Sequence, residues 1–162
     1  MGDVQGRDDL YGFEWDFLVR DRDGLIAVFA TAGAGTIPPA VFGELALVEQ
    51  AVDALDELPS RGESVDLRSQ DRLSGNYSEC FELSRRGLFT YEWHLHHGPY
   101  EQVSAPTVPL VIEDVDRVLA KAAALHRVPV SFAEAAQIDI DEPGRENVRS
   151  HAMTAADTAP AR

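Results

Sequence analysis

Basic residues are scarce in this sequence. Fourteen lysines and arginines stand against twenty-eight aspartates and glutamates, Lys121 is the single lysine, and the formal net charge at pH 7 is −14. That shortage makes nucleic acid a poor ligand, and no nucleic-acid partner is expected, because gripping phosphates needs a basic footprint. An anionic membrane surface is disfavoured by the same repulsion. Long apolar runs are missing too. No stretch approaches the roughly 20 apolar residues of a membrane span. The opening MGDVQGRDDL is polar and acidic, unlike a secretory leader. The lone cysteine, Cys80, has no partner for an internal disulfide. It reads as a half-buried strand residue in a reducing compartment, and a cytoplasmic protein is expected.

Catalytic signatures are equally absent. There is no G-x-S-x-G, and the glycine-rich stretch has no lysine for a phosphate-binding loop. Carboxylates are so plentiful that any pair of them discriminates nothing. A binding protein is expected rather than an enzyme, with no cofactor and no metal.

What is present describes a folded chain. Hydrophobic residues make up 44% of 162, enough for one sizeable core. Residues 1–9 read as a flexible tail, 10–141 as a single α+β domain and 142–162 as a second flexible tail rich in small and polar residues. Glu14 to Arg20 alternates apolar and polar residues, as does a half-buried strand, and Leu25 to Thr31 is a second apolar run. The intervening Asp21-Arg22-Asp23-Gly24 predicts a hairpin turn, since Gly24 supplies positive φ and Asp21 can bond its own turn. It is too short, and flanked by strands rather than helices, to be a calcium loop.

Two amphipathic helices are expected. The first, from Ala40 to Leu58, carries Val41, Leu45, Val48, Val52 and Leu55 on one stripe. The second, Ile112 to Leu125, carries Val115, Val118, Leu119, Ala122 and Leu125, with Glu113, Asp114 and Asp116 in its first turn. Between them, Glu63 to Gly75 reads as a loop or a short irregular helix. Tyr77 to Leu83, Leu88 to His94 and Tyr100 to Ala105 read as strands, the last two joined by a turn at His97-Gly98-Pro99. Val128 to Phe132 is expected to close the sheet. The sum is an antiparallel sheet of about five to six strands packed with two main helices.

The first helix draws attention because Glu44, Glu49, Asp53, Asp56 and Glu57 are all acidic and no basic residue balances them. Exposed helices usually interleave both signs and gain i,i+4 pairs. Here the acidic side lies opposite the core stripe and repels itself, which a positive partner would relieve. Two alternatives remain. The Gly33-Ala34-Gly35 loop ahead of the helix is a generic anion cradle, suiting a small-molecule or regulatory module. His94 and His96 would share a strand face with Glu92, the geometry of a metal-dependent enzyme.

Four strings resemble one group of bacterial proteins. They are EWDFLVRDRDGLIAVFATAGAGTIPP at 14–39, RRGLFTYEW at 85–93, GPYEQVSAPTVPL at 98–110 and VPVSFAEA at 128–135. The combination W-D, F-x-T-A-G-x-G and R-G-L-F-x-Y is similar to immunity-type proteins of polymorphic-toxin loci. That resemblance implies a small cytosolic protein that neutralises a cognate toxin by direct binding. The expected partner is then a basic protein, met by Glu49, Asp53, Asp56 and Glu57 or by Asp21 and Asp23 at the hairpin turn.

Overall fold

The computed structural model describes residues 12–94 and 98–141, together with the backbone of Asn147–Val148. The expectations of flexible tails fall almost wholly outside these residues, as do His96 and His97.

Alternating polarity builds the first hairpin as expected. β1 (Asp16–Arg20) and β2 (Ile26–Ala30) pair antiparallel, with Phe17 opposite Phe29 and Asp16 opposite Ala30. The turn is a structural one, closed by a buried acid. Asp21 Oδ1 accepts hydrogen bonds from the amides of Asp23 and Leu25, and Oδ2 accepts one from the amide of Phe132, each at 2.9 Å. Gly24 adopts φ +83°, a region where a side chain is penalised.

The long acidic helix is broken in two. α1 (Pro39–Phe42) stops at Gly43, α2 (Leu45–Ala54) restarts after Glu44, and a 3-10 turn at Leu55–Glu57 ends it. Glycine is a poor helix former, and Glu44 leaves helical geometry at φ −133°. Val41 and Val48 are nonetheless buried in one core with Leu45 and Val52 half-buried against it, while Ala51 and Leu55 are buried in a second.

Several expectations need correction. Tyr77 to Leu83 is not a strand: α3 (Ser78–Arg85) occupies it. Asn76 Oδ1 accepts from the Ser78 amide at 3.1 Å, starting the helix, and Cys80, Leu83 and Ser84 recur at helical spacing toward the sheet. Glu63 to Gly75 holds a short strand, β3 (Ser64–Asp66), and a 3-10 turn at Gln70–Arg72. Val128 to Phe132 does not form a strand, because Pro129 lacks an N–H and the segment instead bonds to the edge of β1, through Val128 N–H to the Arg20 carbonyl. The closing strand lies later, at β6 (Ala135–Ile138), and β7 (Asn147–Val148) pairs with it inside the stretch expected to be a loose tail. The second helix is shorter than expected: α4 (Arg117–Ala123) begins at Asp116, whose side chain accepts from the Leu119 amide at 3.0 Å.

β4 (Phe89–Trp93) and β5 (Tyr100–Pro106) complete the sheet. The strand order is β1-β2-β4-β5-β6-β7, with β3 beside the far half of β5. Pairing is antiparallel except between β2 and β4, which run parallel because the chain crosses over through α1, α2, β3 and α3. The fold is therefore mixed α+β with a mostly antiparallel open sheet. Among the described residues no helix is long and apolar enough to cross a membrane.

Each face of the sheet has its own core. One carries an aromatic cluster in which Phe29 stacks on Tyr91 at 4.8 Å and meets Tyr100 edge-on at 4.9 Å. Such pairs add about 0.5–1.5 kcal/mol each beyond burial and lock β1, β2, β4 and β5 in register. On the other face Leu18, Ile26 and Val28 pack under Ala51 and Leu55 of α2, Leu83 of α3, and Leu119 and Ala122 of α4.

Candidate functional site

On the helix-covered face, α2 and α3 leave a cleft of about 650 Å³ with strand residues as its floor. The register decides that floor. Asp16 lies opposite Ala30, and Ala30 opposite Glu92, so the three form one row across β1, β2 and β4. Val28 and Thr90 form the row beside it. The side of α2 contributes Glu49, Val52 and Asp53, which share a helix face at spacings of three and four. α3 contributes Glu79, Cys80 and Leu83, and the Gly75–Tyr77 segment and Phe13-Glu14 form the rest of the rim. Six carboxylates thus line the cleft, and among the described residues no lysine, arginine or histidine does.

The α3 wall is fixed by hydroxyls. Ser104 Oγ lies 2.6 Å from Thr90 Oγ1 and 2.7 Å from Ser84 Oγ, and it donates to the Cys80 carbonyl at 3.1 Å. The other anchor is Arg72, buried to 7% exposure. Its guanidinium donates to Glu101 Oε1 at 3.1 Å, to Glu92 Oε1 and the Tyr77 hydroxyl at 3.2 Å, and to the main-chain oxygens of Glu92 and Trp93. The segment leading to Tyr77 is thereby held against the sheet.

Electrostatics mark the floor. Burial pushes the Asp16 carboxyl up to about 6, and the repulsion of Glu79, Glu14 and Glu92 pushes in the same direction. Glu92 is also raised by burial, partly offset by Arg72. Glu101 behaves oppositely: burial opposes its ionisation, but hydrogen bonds from Ser69 and Arg72 outweigh it and hold the group below the usual range. Burial, with the acidic neighbours, raises the Cys80 thiol to about 11, so it stays protonated at neutral pH and is a poor nucleophile.

The acidic residues singled out from sequence separate in space. Glu49 and Asp53 meet at the cleft. Asp56 sits in an adjoining smaller depression, 3.6 Å from Arg86, whose guanidinium also donates to the Leu55 carbonyl. Glu57 is exposed beyond it. Asp23 is exposed at the hairpin turn, 3.7 Å from Arg22, at the opposite end of β1 from Asp16. Asp21 is fully buried with its oxygens committed to backbone amides, which removes it from any partner-facing surface.

The other sequence candidates lead elsewhere. The amides of Ala34 and Gly35 donate to the Thr31 carbonyl, at 3.1 and 2.8 Å, and a side chain at Gly35 would strike the Tyr100 hydroxyl. The loop is a tight packing corner whose donors are spent. His94 Nε2 lies 3.5 Å from Asp71 Oδ2, and among the described residues no group of three His, Cys, Asp or Glu side chains is placed to hold a metal. Trp15 is buried and Trp93 half-buried in the aromatic core.

No family model, curated protein or solved structure matches the chain. The site stands on its geometry alone.

Sequence reasoning missed Glu14, Asp16 and Glu79, and singled out Glu92 only as a companion of His94 and His96. Asp16 and Glu92 occupy the polar face of strands, with Glu14 just ahead of β1, and such a face reads as solvent until helices cover it. Glu79 was hidden by the strand assignment of its segment. The available signal was Asn76-Tyr77-Ser78 ahead of Cys80, Leu83 and Ser84 at helical spacing.

Proposed function

We propose that this chain is an inhibitory binding protein that captures a basic protein in the α2–α3 cleft. One observation carries the reading: six carboxylates converge on a cleft of about 650 Å³ that, among the described residues, no basic side chain lines. Burial raises the Asp16 carboxyl most, and the repulsion of Glu79, Glu14 and Glu92 adds to it; a cationic partner relieves that repulsion. The net charge of −14 steers such a partner from a distance. The resemblance to immunity-type proteins names the role: neutralising a cognate basic toxin. A Cys80 thiol raised to about 11 stays protonated at neutral pH, which favours binding over nucleophilic chemistry by this residue.

The decisive experiment co-expresses the chain with the product of the adjacent gene. Protection of the host and co-purification at a fixed ratio are expected. The double variant E49K/D53K, changed at two exposed positions that leave the core intact, should lose both. Protection that survives the charge reversal refutes the cleft as the binding surface.

A further inference from the structure

The floor of the cleft continues into a longer row. Glu92 is opposite Glu101 on β5, so one line across four strands reads Asp16, Ala30, Glu92, Glu101. Three carboxylates therefore point along one line of a sheet whose strands are about 4.8 Å apart. The gap between Glu92 and Glu101 is filled from within. Arg72 lies there, its guanidinium bonded to both carboxylates at 3.2 and 3.1 Å. In the next gap, between Glu92 and Asp16, the strand residue is Ala30, whose side chain is a single methyl, and all three line the cleft. This gap is twice as wide, about 10 Å between strand axes, which accommodates a planar fork with a hydrogen bond at each side. Val52 and Leu83 stand on either side of the cleft above it and offer apolar contact to an aliphatic stem.

We propose that the partner inserts an arginine side chain into this second gap, its guanidinium over Ala30 between Asp16 and Glu92 and its methylenes against Val52 and Leu83. The seat repeats outside the core what Arg72 does within it. Arginine suits it better than lysine, because two carboxylates on opposite sides need a rigid two-sided donor rather than a point charge. Glu14, Glu79, Glu49 and Asp53 ring the mouth and attract cations generally. Ala30 makes the site selective, since any larger residue there fills the gap without changing charge. The inference presupposes that the cleft is the partner-binding surface.

The test is an amide-shift titration of the full chain with butylguanidine and with butylamine, repeated on Ala30→Met and Asp16→Asn. Saturable shifts confined to Asp16, Ala30, Glu92 and the Val52 and Leu83 walls are expected for butylguanidine, with butylamine at least fivefold weaker. Both variants should weaken butylguanidine at least tenfold while their spectra otherwise match the parent fold. Equal affinity for the two probes, shifts located elsewhere, or an unaltered response in Ala30→Met overturns the seat. The same Ala30→Met variant separates the two levels of the reading. If it still captures the basic partner at full affinity, the arginine seat fails and the acidic cleft stands. If the parent chain captures no basic partner, the cleft reading itself fails.

Discussion

At the residue scale two aspartates in one hairpin show how context fixes what a carboxylate does. Asp21 is fully buried and satisfied by three backbone amides, so Asp21→Ala leaves those donors unpaired and should lose about 3 kcal/mol or more in urea denaturation. Asp23→Ala, at an exposed position two residues on, should stay within about 0.5 kcal/mol. Asp16 is the reverse of Asp21: half-buried among like charges, with its carboxyl raised to about 6. Its ordinary value is 3.8, so between those two pH values the folded chain holds a proton that the unfolded chain has released. Its contribution therefore destabilises the fold as pH rises from about 4 to 6, and the penalty is constant above that. Asp16→Asn should stabilise the protein at pH 7.5 by on the order of 1–2 kcal/mol, after discounting for partial exposure, and the gain should vanish near pH 4. Urea melts across that range check the sign.

At the element scale, the cleft exists because three pieces are held apart at fixed distances. α2 is set by Ala51 and Leu55 in the core, α3 by the Ser84-Ser104-Thr90 hydroxyls, and the Gly75–Tyr77 rim by Arg72. Arg72 is the vulnerable one, because removing it strands Glu92 and Glu101 in a part-buried place. Arg72→Met should cost about 3–5 kcal/mol. Hydrogen exchange should accelerate first at residues 70–77, while the β1–β2 amides keep their protection. Uniform loss of protection would mean that Arg72 supports the whole fold rather than the rim. α2 itself illustrates tertiary compensation. It has no basic residue of its own, yet Arg86 at the end of α3 reaches its last turn, binding Asp56 and the Leu55 carbonyl. That is where the helix dipole favours a cation.

At the scale of the whole molecule, the excess of acid governs how a partner arrives. A net charge of −14 attracts a basic protein over distances comparable with the screening length, which is about 10 Å at 0.1 M salt and about 3 Å at 1 M. Association with a basic partner should slow by roughly tenfold or more between 50 and 500 mM NaCl, with dissociation changing much less. Stopped-flow measurements at several salt concentrations separate the two rates. Equal sensitivity of both would place the binding energy in exposed charges rather than in the cleft.

Much of this was legible before any coordinates. Alternation in Glu14 to Arg20, the apolar run from Leu25 to Thr31, the Asp-Gly turn between them and the stripe from Val41 to Leu55 are local patterns, and local patterns follow from the backbone's own geometry. The acidic bias of Glu49 and Asp53 was equally visible. The site was not, because its charge comes from four segments far apart in sequence. Asp16 and Glu92 become neighbours only through the parallel pairing of β2 with β4, a long-range contact across some sixty residues that no local period encodes. Sequence alone determined that the protein is acidic, that Asp21-Arg22-Asp23-Gly24 turns a hairpin between two strands, and that the first helical region lacks basic compensation. Tertiary structure decided which carboxylates share a cleft, which one is buried under three amides, and where an internal arginine already fills one gap of the row. Those outcomes depend on pairing register, and register is set by the packing of the whole sheet.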